Sequence, residues 1–276
     1  MMPPRVSSAG VQRAFDAATA VHPLGDGRYR AQIDEGWDIG GNANGGYLMA
    51  LAARAIHDAV GRPPLTITAH YVARGRSGPC ELTVDVLRAG RRTATAIARL
   101  RTDVDVLAVV GTFGDQFPGG PTVIDSTPPD LPPFDECVRM RPPVPDSGFG
   151  ERVHIRLHPD DAAFREGRPT GTGEVSGWFT FADAPPADQQ IDPFGLLQAS
   201  DAFAPVCFNR FEVPVAWAPT LELTVHVRGV PVPGPLRCRF RNSFMQNGLF
   251  EEDGEIWDSS GALVAQSRQL ALIPRG

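Results

Sequence analysis

Asp201 sits in FGLLQASDAFAPV, Phe194 to Val206, a stretch whose apolar residues recur with the period of a buried helix. At about 100° per residue its carboxylate projects between Phe194, Leu197 and Gln198, on the face that packing should cover. Burying an unpaired carboxylate costs several kcal/mol, so such a group raises its pKa, finds a partner or does chemistry. Pro205 must end the helix nearby, and an aspartate close to a helix C-terminus opposes the dipole. The residues leave two readings open: a structural ion pair with an arginine such as Arg210, or a reactive acid.

Gly45 and Gly46, in GNANGGYLM, stand at the start of a second apolar helix. N–H groups exposed at a helix start can polarise an anion or a carbonyl oxygen, and glycines equally let a helix enter tightly. Arg88 to Arg92, RAGRR, would lie at a hairpin turn and could grip a phosphate or stay solvated. His154 and His158 are four apart in an alternating strand pattern, which separates them by about 13 Å, and no metal centre is expected. GEVSGW lacks the spacing of a serine elbow, and no G-x-G-x-x-G follows a strand.

The elements that would position these residues fall into two halves. The 276 residues allow two domains, and 42% hydrophobic with 21% charged residues is ordinary for a soluble globular protein. There is no lysine, so every fixed cation is an arginine and lysine-based Schiff-base or phosphate-loop chemistry is excluded. The net charge of −6 argues against a nucleic-acid partner, although residues 1–113, with 13 Arg against 10 acids, could accept a phosphorylated small molecule. Cys80, Cys137, Cys207 and Cys238 form no C-x-x-C pair and suggest reduced thiols. The N-terminus lacks the apolar core of a signal peptide, and YLMALAARAI is too short to span a bilayer. A cytoplasmic protein without a membrane partner is expected.

Nine prolines between residues 118 and 145 mark an extended connector over 114–150, between an N-terminal unit at 1–113 and a C-terminal unit at 151–276. Each unit reads as strand, apolar helix, then a meander of strands. An offset of 156 aligns Thr68 with Thr224, His70 with His226 and Gly78 with Gly234, the mark of an internal duplication. A nearly all-apolar helix followed by such a meander implies an α+β unit, an antiparallel sheet wrapped around one central helix.

The chain resembles the acyl-CoA thioesterase II (TesB-like) family of double-hotdog proteins. GGYLMALAARA is similar to the first hotdog helix and GLLQASDAFAP to the second, with the family's aspartate. APTLELTVHV is similar to the strand bearing its threonine, and DSSGALVAQSRQ to the terminal hairpin bearing its glutamine. The resemblance implies two antiparallel sheets, each around a central helix, and a catalytic set of Asp201, Thr220 and Gln269. It further implies hydrolysis of fatty acyl-CoA by a water that Asp201 activates and Thr220 and Gln269 hold, with no cofactor and no acyl-enzyme. Oxyanion donors would come from Gly45, Gly46 or Gly195. One site per chain is expected, because the offset of 156 sets Gln269 against Phe113 and Thr220 against Pro64. Strict alternation would place Thr220 on the face of Glu222 and His226, away from the core. Exposed hotdog edges and faces imply a homo-oligomer, a dimer or tetramer. The alternatives are a non-catalytic acyl- or ligand-binding hotdog protein and a hotdog enoyl-CoA hydratase or dehydratase, although no histidine lies near Asp201 in sequence.

Overall fold

The computed structural model describes residues 14–117, 119, 121–141, 148–210 and 218–274. In the N-terminal half, α1 (Ala14–Ala18), β1 (His22–Gly25), β2 (Arg28–Ile33) and a small hairpin, β3 (Asp38–Ile39) with β4 (Asn42–Ala43), lead into α2 (Gly45–Val60). Four strands follow: β5 (Pro64–Tyr71), β6 (Gly78–Ala89), β7 (Thr93–Arg101) and β8 (Asp105–Gly114). The C-terminal half runs through β9 (Val138–Arg139), α3 (Phe149–Arg152), β10 (Val153–Leu157), β11 (Glu174–Phe181), α4 (Pro193–Ala199) and α5 (Cys207–Arg210). It closes with β12 (Thr220–Val227), β13 (Leu236–Arg241), the short β14 (Met245–Gln246), β15 (Leu249–Trp257) and β16 (Leu263–Leu272).

Helix α2 is buried over almost its whole circumference because Gly46 to Ala53, Ala55 and Ile56 are apolar or small. Arg54 breaks that run and pairs with Asp16 at 2.5 Å and Asp192 at 2.9 Å. The two helices start alike: Asn44 caps α2 by accepting from the Tyr47 N–H, and Asp192 caps α4 by accepting from the Gly195 N–H.

The chain forms the double hotdog expected, with its two sheets joined edge to edge. β5 pairs antiparallel with β12, so both halves share one continuous antiparallel sheet. Thr68 lies directly opposite Thr224 across that seam, their hydroxyls 2.9 Å apart. Residues related by the sequence offset therefore meet face to face, which runs the pseudo-two-fold axis between them. Among the described residues no helix is long and apolar enough to cross a membrane.

Three expectations are corrected. The second helix stops at Ala199: the Ser200 hydroxyl bonds back to the Leu196 carbonyl at 2.8 Å and the Asp201 N–H reaches the Gln198 carbonyl at 3.2 Å. That tight last turn releases Asp201 just beyond the helix. The connector is not wholly extended, since its proline-free stretch Phe134–Arg139 forms a 3-10 turn and the edge strand β9 on β10. Finally, Gln269 does not correspond to Phe113. β8 pairs with β5 through Tyr71 and Leu107, whereas β16 pairs with β12 through Val227 and Ala265, and this two-residue difference makes Gly111 the counterpart of Gln269.

Candidate active site

The turn after α4 presses Asp201 against the N-terminus of α2. Its Oδ2 accepts the Gly46 N–H at 2.9 Å and the Asn44 Nδ2 at 3.2 Å, while the same Nδ2 donates to the Asp201 carbonyl at 2.8 Å. Gln198 Nε2 in turn donates to Asn44 Oδ1 at 2.9 Å, so the helix cap and the acid form one network. Gly45 and Gly46 permit this approach: a Cβ on Gly45 would sit 2.8 Å from Asp201 Oδ2, and one on Gly46 would sit 2.7 Å from the Leu197 carbonyl oxygen.

Burial raises the Asp201 carboxyl to about 6, and the Gly46 and Gly45 N–H groups and the Asn44 amide hold it from going higher. The acid therefore titrates closer to neutrality than an ordinary aspartate. The N–H groups expected to serve an oxyanion are committed elsewhere. Those of Gly45 and Gly46 act on Asp201, and that of Gly195 caps α4 through Asp192 at 2.7 Å. No arginine pairs with Asp201 among the described residues.

Thr220 faces inward after all. The register of β12 on β16 shifts between Thr220 and Glu222, so that Thr220 opposes Ala271 and Leu223 opposes Gln269. This bulge at Leu221 turns the Thr220 side chain to the inner face, where its hydroxyl donates to Gln269 Oε1 at 3.1 Å. Gln269 Nε2 then donates to Glu252 Oε1 at 2.9 Å, and Glu252 Oε2 accepts the Val206 N–H at 2.7 Å. Glu252 is only 4% exposed, and burial pushes its carboxyl up to about 8, with the neighbouring Asp201 adding to the rise. The sequence reading missed this residue. Its signal is parity: on β15 it shares the inner face with Phe250, Gly254 and Ile256.

Asp201, Thr220 and Gln269 line one cavity of about 680 Å³ between the two halves. Its wall on the C-terminal side is apolar, built from Val153, Ile155, Phe164, Phe208 and Phe250, with Met140 of the connector beside them. Exposed Arg74, Arg141 and Arg165 also line it, each from a different segment. Tyr71 lies against Gly45 at the same cavity, and its hydroxyl has no hydrogen-bond partner among the described residues.

A double hotdog with an acid, a hydroxyl and an amide lining a partly apolar cavity fits the thioesterase class. Residues 33–114 match the acyl-CoA thioesterase N-terminal domain and residues 127–273 the acyl-CoA thioesterase C-terminal domain. The chain belongs to this TesB-like acyl-CoA thioesterase family. A protein of Thermobifida fusca YX described as a thioesterase II superposes with a TM-score of 0.85 at 33% identity, over 96% of this chain and 98% of the other. A hot dog fold protein of unknown function from Alicyclobacillus acidocaldarius gives 0.80 at 22% identity, over 96% and 100%, and shows the fold alone. An uncharacterized protein of Mycobacterium tuberculosis strain H37Rv is 28% identical over 295 residues, which span 94% of this chain and 98% of that protein.

Proposed function

We propose that the protein hydrolyses acyl-CoA to free fatty acid and CoA, with Asp201 as general base on a water that Thr220 and Gln269 hold. Asp201 takes a proton from that water as its oxygen bonds the thioester carbonyl carbon. The tetrahedral intermediate then collapses with cleavage of the C–S bond, and the CoA thiolate leaves and is protonated. One observation carries the reading: a carboxylate tuned to about 6 shares a cavity with the hydrogen-bonded pair Thr220 and Gln269. The apolar wall suits an acyl chain. Arg74, Arg141 and Arg165, with no ion-pair partner among the described residues, suit the phosphates of the CoA nucleotide.

The C-terminal half, 151–276, supplies the reacting groups, and Asn44, Gly45 and Gly46 of the N-terminal half tune the acid. No cofactor or metal takes part in this scheme. Four buried free cysteines favour the reducing cytoplasm, and Val110 and Leu270, exposed on the sheet, favour burial against a second copy in a homo-oligomer. The test is a panel of acyl-CoA esters of increasing chain length assayed for released thiol, with a protein-only blank for the cysteines. Turnover of at least one ester, lowered by roughly 10² to 10⁴ in Asp201→Asn, is expected. Stoichiometric binding of the panel without turnover would replace the hydrolase by an acyl-binding protein.

A further inference from the structure

We propose that Glu252 is a positioning residue, which locks the Gln269 amide in one orientation and so aims the hydroxyl of Thr220. The proposal rests on the hydrolase reading of the site. Both Glu252 oxygens accept N–H donors, from Gln269 at 2.9 Å and from Val206 at 2.7 Å. In its ionised form the Glu252 carboxylate can only accept, so the Gln269 nitrogen then faces it and Oε1 faces Thr220. Thr220 then gives its single hydrogen to Gln269 and turns its lone pairs to the cavity. A water there donates one hydrogen to Thr220, through which Gln269 holds it, and the other to Asp201, and its own lone pair is left for the thioester carbon. With the amide reversed, Gln269 would donate to Thr220, and the freed hydroxyl hydrogen would compete for the lone pair that must attack.

Packing does not require an acid at this position. In the N-terminal half Ala96 opposes Gly111 as Glu252 opposes Gln269, and Ala96 is completely buried. A buried carboxylate in its place carries a desolvation cost that the fold of the other half does without.

The titratable groups that act on Glu252 are Asp201 from the turn after α4, Cys207 of α5 and, from the opposite face of its own strand, Glu251. A protonated Glu252 would offer an O–H where only N–H donors face it, which favours the reversed amide. The turnover rate should therefore rise with pH through the Asp201 ionisation and again as Glu252 loses its proton.

The test is Glu252→Gln, because an amide can accept only one of the two N–H groups. Its kcat is expected to fall about 10- to 100-fold with KM within about threefold of wild type, and the rise of kcat at the higher pH should vanish. A kcat within about twofold of wild type, or an unchanged pH profile, overturns the proposal. A second measurement needs no variant and no activity: the side-chain amide signals of Gln269, followed by NMR against pH in the wild-type protein. Two inequivalent, slowly exchanging hydrogens that shift as Glu252 ionises are expected, and a rapidly exchanging pair indifferent to pH overturns it. If those signals titrate as described while the wild-type protein hydrolyses no thioester, the hydrolase reading fails and the positioning role of Glu252 stands.

Discussion

The two halves of the molecule carry the same scaffold and opposite fillings. Around the pseudo-two-fold axis, Thr220 corresponds to Pro64, and the same bulge recurs, between Pro64 and Thr66 in one half and between Thr220 and Glu222 in the other. Gln269 corresponds to Gly111, where the Ile67 and Phe113 side chains each come within 2.7 Å of where a Cβ would lie. Glu252 corresponds to Ala96. At the helix ends, the start of α2 receives the free carboxylate of Asp201, whereas the cap of α4 receives the guanidinium of Arg54, itself stacked 4.0 Å over Phe194. A bulge, a capped helix and a paired strand are thus properties of the fold. The halves differ in which side chains those shared features aim inward: the proposed catalytic set in one, and apolar packing and an ion pair at the equivalent positions in the other.

The sharpest way to break this comparison is to remove the acid from the C-terminal half. Asp201→Asn keeps the shape and an acceptor for the Gly46 N–H but loses the basicity, and kcat should fall by roughly 10² to 10⁴ while the thermal midpoint does not fall below wild type. A lowered midpoint with retained activity would make Asp201 a structural group like Arg54. Thr220→Val and Gln269→Ala should each lose about 10- to 100-fold in kcat in well-folded proteins, read by steady-state kinetics with circular dichroism as the folding control. In the other half, Arg54→Ala should spare kcat and destabilise the fold by about 1–2 kcal/mol in urea denaturation, since its ion pairs are partly screened and its stack on Phe194 goes with them.

A separate effect is on stability against pH. Asp201 and Glu252 have folded pKa values raised to about 6 and about 8, above their ordinary 3.8 and 4.5. Between the unfolded and folded values the folded state holds the extra proton. The favourable contribution is therefore full below the unfolded pKa and is lost as pH rises through the folded one. The thermal midpoint should accordingly decline from about pH 4 to about pH 8, and Glu252→Gln should flatten the upper part of that decline.

Much of this was legible in the chain. The strands announced themselves by alternation, and Asp201 by being an acid on an apolar face. What stayed hidden depends on long-range geometry. Thr220 looked outward because alternation cannot register the bulge that resets its parity, and the bonding of Gly46 to Asp201 joins residues 155 apart. Glu252 lies in the acidic run EED, which reads as a solvated face until Phe250, Gly254 and Ile256 are set on the same side of the strand. The strand β9 owes its existence to the neighbouring edge of β10 and not to any periodicity in its two residues.

The central claim is that Asp201 activates water and does not itself attack the thioester. It is tested most directly by a single turnover in ¹⁸O-labelled water with enzyme in excess over acyl-CoA and the fatty acid analysed by mass spectrometry. Direct attack by water predicts that the fatty acid released in that first turnover carries one ¹⁸O atom and that the enzyme, quenched at short times and weighed intact, never carries an acyl group, whereas an acylated enzyme would contradict it even if the acid is labelled. An unlabelled first-turnover acid would mean that an oxygen of the Asp201 carboxylate had been transferred through a covalent anhydride, and it would contradict the account.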